Sequence, residues 1–210
     1  MNLQLYEFDV LEAELTKLSP VHRLAFAASC CERLFPNYAL VKQEDGWGDP
    51  SILRNALNEV WLFLEGQPVN AKQIRQLLKV CEETVPKADD VSGSQYDVEA
   101  QEAASAICFI LEACLDPTPK NIIKVPKCVM NTIDGYLSAM KDIEDPNWWD
   151  ERSLEEQKEE FTKHPFAMRE IAKQSEDLQS LKNVGQLDRN FLQWLRTSFD
   201  NQGKSLIDLP

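Results

Sequence analysis

Apolar residues recur along this chain every three to four positions, the period at which side chains share one face of an α-helix. Leu11, Leu15 and Leu18 form a first stripe. Ser19-Pro20, a capping residue followed by proline, opens a second segment in which Leu24, Ala27, Ala28, Cys31, Leu34 and Phe35 repeat at helical spacing. Pro36 is expected to end that helix or begin a short next one. Asp49-Pro50 is another cap-plus-proline start. Ile52, Leu53, Ala56, Leu57, Val60, Trp61 and Leu64 then follow on one face, and Gly66 and Pro68 stop the run. Asn70 and Gln73 have capping-box spacing ahead of Ile74, Leu77, Leu78, Cys81 and Val85. A polar loop is expected from Pro86 to Gln95.

From Asp97 to Leu115 the pattern changes. Ala103, Ala104, Ile107, Cys108, Phe109, Ile110, Leu111, Cys114 and Leu115 leave little polar face, as in a helix buried on several sides. Thr118-Pro119 starts another segment, and Pro126 kinks the following helix or marks its true start. Val125, Val129, Ile133, Tyr136, Met140 and Ile143 carry its stripe. An acidic loop from Glu144 to Arg152 holds Trp148 and Trp149, and Ser153 with Glu156 makes a second capping box. His164-Pro165 precedes a long helix with Met168, Ile171, Leu178 and Leu181 inward, ended by Gly185. Asp188 caps a last helix carrying Phe191, Leu195 and Phe199, and the tail from Gly203 is expected to be extended. Period-two alternation and fixed-length repeats are absent. The fold class that follows is all-α: one domain over residues 1–210, a bundle of about eight or nine helices around a largely buried central one.

Composition agrees with this reading. Seven glycines in 210 residues is few, and all-β folds spend glycine on tight turns. Charge narrows function. With 22 basic against 35 acidic residues the net charge is −13, which repels phosphate backbones and anionic membrane surfaces. Nucleic acid and membrane are therefore excluded as expected partners. The amino-terminal run from Met1 to Glu7 lacks a basic region and an uninterrupted apolar core, and Ala103 to Leu115 is too short to span a bilayer. The expected compartment is the cytoplasm. Cysteines 30, 31, 81, 108, 114 and 128 then read as reduced thiols, with no Cys-x-x-Cys pair.

Cys31-Glu32-Arg33-Leu34-Phe35-Pro36-Asn37-Tyr38, followed by Gly48-Asp49, Leu53-Arg54 and Trp61, resembles the YjaG-like DUF416 family, a bacterial family of unknown function. Val85-Pro86 to Ala88-Asp89-Asp90 is similar to that family's Pro-x-Ala-Asp-Asp loop. Pro165, Glu170 and Gln174 match its Pro-x4-Glu-x3-Gln spacing, and Gly203, Ser205 and Ile207 its final segment. The similarity runs from about Leu15 to Leu209. Asp145 to Asp150 departs from the pattern. The resemblance implies an all-α bundle and no reaction.

Two functional readings stay open at this level. Glu32, Arg33, Asn37, Tyr38, Asp49 and Arg54, with Glu170 and Gln174 four apart on one helix face, can converge into a polar pocket for a small ligand or for acid–base work. The same residues can instead form a buried hydrogen-bond and ion-pair network, with Asp49 simply an N-cap. No catalytic residue is assigned, and no cofactor or metal is expected. The di-metal Glu-x-x-His pattern is absent, as are glycine-rich phosphate loops. The second reading is a non-catalytic module that binds a protein partner or a second copy of itself. Trp148 and Trp149 are its candidate anchors unless they fold onto the bundle. A weaker variant is an acidic decoy for a basic protein.

Overall fold

The computed structural model describes residues 7–87, 96–145, 147–199, 201 and 204–208. Among these residues there is no strand. The helices are α1 (Phe8–Thr16), α2 (Pro20–Asp45), α3 (Pro50–Leu64), α4 (Ala71–Glu83), α5 (Asp97–Leu115), α6 (Pro119–Ile122), α7 (Lys124–Glu144), α8 (Trp148–Glu151), α9 (Leu154–Lys163), α10 (Pro165–Asn183) and α11 (Arg189–Thr197). Ala88-Asp89-Asp90 of the expected polar loop lies outside the described residues, as do Met1 to Tyr6, Pro146 and Gly203.

Most helix starts fall where the capping chemistry puts them. Ser19 Oγ accepts from His22 N, Asp49 from Ser51 N, Asn70 from Lys72 N and Gln73 N, and Asp188 from Phe191 N. Ser153 and Glu156 form a complete capping box. Gln73 does not close its box; its amide donates to Glu59 instead. Gly46, with φ of 72°, ends α2 in the left-handed conformation that suits glycine.

The buried centre is α5. Ala100, Ala103, Ala104, Ala106, Ile107, Ile110, Leu111 and Ala113 are inaccessible to solvent, and α2, α3, α4, α6 and α7 all pack on this helix. Alanines let neighbouring backbones approach, and α2 carries buried alanines of its own at Ala25, Ala27 and Ala28.

Several expectations need correcting. Met168 on α10 and Ile143 at the end of α7 are expected on apolar faces, but they are 41% and 84% exposed. Pro36 does not break its helix: α2 runs on from Pro20 to Asp45. An internal proline costs about 3 kcal/mol. Leu34, Asn37, Tyr38, Leu40 and Val41 are all buried around it, and that packing outweighs the local cost. The loop with two tryptophans contains a short helix, α8. The described tail, Lys204 to Asp208, turns rather than extends, and Ser205, Leu206 and Ile207 are buried against the bundle.

Candidate functional site

The residues singled out by sequence do not meet in one pocket. Glu32 and Arg33 are neighbours on α2, so their side chains leave the helix about 100° apart. They enter different interfaces.

Arg33 points at α10. Its Nε and Nη2 donate to the two oxygens of Glu170 at 2.8 and 2.7 Å. Its Nη1 donates to Ser29 Oγ at 2.7 Å and Asp177 Oδ2 at 3.1 Å, and Nη2 also donates to Cys30 Sγ at 3.3 Å. These contacts employ all five guanidinium N–H groups. Ser29 in turn donates to Asp177, and Gln174 to Glu170. Lys173 Nζ lies 2.7 Å from Asp177 Oδ1 and 2.8 Å from Glu176 Oε2. The Arg33, Glu170 and Asp177 side chains are at most 1% exposed. Burial by itself disfavours the guanidinium cation; the negative charges of Glu170 and Asp177 outweigh it and hold Arg33 above its ordinary pKa. Two buried acids and two bases thus compensate one another.

Glu32 faces α3 and α11. Oε1 accepts from Arg54 Nη1 at 2.9 Å and from the Trp61 indole at 2.8 Å, and lies 3.0 Å from Arg196 Nε. Oε2 accepts from Arg54 at 2.7 Å. The Arg54 guanidinium also lies over the Phe35 ring, 3.9 Å from its centroid. This cluster sits at the rim, with the Arg54 and Arg196 side chains about 30% exposed.

Tyr38 turns a third way. Its hydroxyl donates to Thr84 O at 2.9 Å, and burial pushes its pKa up. A Cβ on Gly48 would stand 2.6 Å from that hydroxyl, and φ of 80° there disfavours any side chain, so glycine is needed twice over. Asp49 caps α3 at the surface, where its bonds to Ser51 hold its carboxyl below the usual range. Asn37 is fully buried, and neither Oδ1 nor Nδ2 of its amide has a hydrogen-bond partner among the described residues.

Sequence reasoning missed Ser29, Lys173, Asp177 and Arg196. A signal for most of these was available. Ser29, Arg33 and Asn37 follow at four-residue steps on an otherwise apolar helix, and Glu170, Lys173, Gln174 and Asp177 share one face of α10. Polar residues where a stripe should be apolar imply partners across the interface.

The tryptophans do not stand out from the surface as a pair. Trp148 is 2% exposed and stacks on Phe161, with centroids 5.4 Å apart and planes 9° apart. Trp149 is half-buried, edge-on to both rings, and its indole donates to Asp142.

All six thiols are buried, and burial pushes Cys81 to about 11 and Cys108 and Cys114 to about 12, far from the thiolate that nucleophilic chemistry needs. Among the described residues no three His, Cys, Asp or Glu side chains group closely enough to hold a metal ion, and no helix is long and apolar enough to cross a membrane.

An opening lined without charged side chains lies elsewhere, between α3 and α4. Ile52, Leu77 and Val80, with the amides of Asn55, Gln73 and Gln76, line a groove of ≈ 350 Å³. A second groove, of ≈ 410 Å³, is lined by Arg169, Lys173, Glu176, Ser198 and Phe199 beside the Arg33 network.

Comparison with known proteins gives relatives and a fold. The family model described as "Protein of unknown function (DUF416)" matches residues 10–209. The chain is 27% identical over 201 residues to the uncharacterized protein YjaG of Escherichia coli K12, covering 95% of both chains. It is 26% identical over 204 residues to YjaG of Salmonella typhimurium, again covering 95% of both. A crystal structure of a DUF416 family protein from Shewanella baltica superposes with a TM-score of 0.82 at 24% identity, covering 94% of this chain and 97% of that one.

Proposed function

This chain belongs to the DUF416 family, and we propose that it acts in the cytoplasm as a non-catalytic helical module that seats a segment of a protein partner in the groove between α3 and α4. The observation that carries this reading is the contrast between closed chemistry and an open apolar surface. The carboxylates with acid–base potential are already engaged: Glu170 and Asp177 by Arg33, and Glu32, in its separate cluster, by Arg54, Trp61 and Arg196. A substrate would have to displace those bonds before reaching any of them. The α3–α4 groove needs no such opening. Ile52, Leu77 and Val80 offer apolar contact, Val80 is 38% exposed, and the remaining lining is amide rather than charge. Grooves of this kind take an amphipathic helix through apolar anchors at helical spacing. Buried thiols without disulfides suit a reducing compartment.

The test is photocrosslinking in the native host from a photoreactive residue at Asn55. The expected result is one discrete protein adduct that disappears with Val80→Glu while the circular dichroism and melting temperature of the variant stay at wild-type values. Adducts that survive Val80→Glu, or a chain that crosslinks to nothing, would sink the reading.

A further inference from the structure

We infer that the segment seated in the α3–α4 groove is an acidic amphipathic helix; this deepens the docking reading above and rests on it. The observation is a strip of unpaired bases beside the groove. Lys72, Arg75 and Lys79 follow at steps of three and four, so they share one face of α4, and all three are exposed. None forms an ion pair or side-chain hydrogen bond among the described residues. Elsewhere basic side chains commonly find acids: Lys141 meets Glu160, Arg169 meets Asp208, Lys182 meets Glu14 and Arg196 meets Glu32. Lys120, Lys127, Lys158 and Lys204 also lack an ion pair among the described residues, but they are scattered, whereas the three bases of α4 gather on one helix face in a chain with 35 acidic side chains against 22 basic ones.

Their placement ties them to the groove. At about 100° per residue, Lys72 and Lys79 lie within about 60° of Gln76, which lines it. The apolar wall therefore continues directly into a cationic strip, with Arg75 on its far side. The glutamates of α4, Glu82 and Glu83, are confined to its last turn, so the strip covers most of the helix. Thirteen residues of α4 extend about 20 Å, the length of a partner helix of similar size. Such a helix would place apolar residues at i, i+3 and i+7 on Ile52, Leu77 and Val80 and carry Asp or Glu on the adjoining face. A cationic segment would meet Lys72 and Lys79 at close range, where like charges oppose docking.

Three labelled helical peptides of about 18 residues test this, each with the same leucine stripe and with flanking positions filled by glutamate, glutamine or lysine. Fluorescence anisotropy reads their binding to the full-length protein. The glutamate peptide is expected to bind about tenfold more tightly than the glutamine peptide, from three partly exposed ion pairs. Lys72→Glu/Arg75→Glu/Lys79→Glu should erase that advantage and reverse the preference towards the lysine peptide. Val80→Glu should abolish binding of all three. Equal binding of glutamate and glutamine peptides, both lost with Val80→Glu, overturns the acidic partner and leaves the docking reading standing. Glutamate binding that persists with Val80→Glu overturns the groove as the seat, and with it both readings. No saturable binding of any peptide overturns the inference, while the Asn55 crosslink judges the docking reading separately. Sedimentation showing a dimer that Val80→Glu dissolves replaces the acidic helix with a second copy of this chain.

Discussion

Glu32 and Arg33 are joined by one peptide bond, yet they serve different regions of the molecule. Arg33 enters the core between α2 and α10, where its partners Glu170 and Asp177 are inaccessible to solvent. Glu32 stops at a rim where α2, α3 and α11 meet and where Arg54 and Arg196 keep contact with water. Both are saturated by hydrogen bonds. They differ in the consequence of losing a partner. In the core the remaining charge has no solvent to fall back on, so the whole set must be present together. At the rim, water can replace a missing group at modest cost.

The sharpest way to break this comparison is Glu170→Ala. It leaves Arg33 buried with a single carboxylate near it, and should lower the unfolding free energy by about 3–5 kcal/mol in urea titrations. The double variant Arg33→Met/Glu170→Leu should recover part of that loss. If the double variant is as unstable as the sum of its parts, the network is not acting as a unit. Glu32→Gln should cost less, about 1.5–3 kcal/mol, because it weakens charge-assisted bonds that water partly replaces. Its cost should shrink with added salt, whereas that of Glu170→Ala should not. Equal salt sensitivity would erase the distinction between core and rim.

Glu99 sharpens the comparison from the opposite side with the smallest effect. It is a buried carboxylate on α5 that makes no ion pair among the described residues, and burial holds its pKa above the ordinary value. A raised carboxyl binds more protons folded than unfolded, so stability should fall as pH rises through its folded pKa. Glu99→Gln should therefore flatten the stability–pH profile above the ordinary carboxylate range and raise the melting temperature at pH 7 and above. A variant that follows the wild-type profile would show that Glu99 is solvated after all.

Much of the fold was legible because helices are local. The caps at Ser19, Asp49, Asn70, Ser153 and Asp188 and the girth of α5 are written in residues within a few positions of one another. Pro36 was misread for the same reason. Its local penalty is visible in sequence, while the burial of Leu34, Asn37, Tyr38 and Val41 that overrides it comes from other helices. The site was legible only in its ingredients. Glu170 and Gln174 could be placed on one helix face, but pairing Glu170 with Arg33 spans 137 positions and depends on how α10 crosses α2. The sequence alone determined that this chain coils into helices, where most of them begin, and that its surface is acidic, since each follows from neighbouring residues or from composition. Only the tertiary structure decided that Glu32 and Arg33 part company, that Trp148 turns inward, and that Lys72, Arg75 and Lys79 form no ion pair among the described residues. Those outcomes depend on which faces meet, and a face acquires its neighbour only when the helices pack.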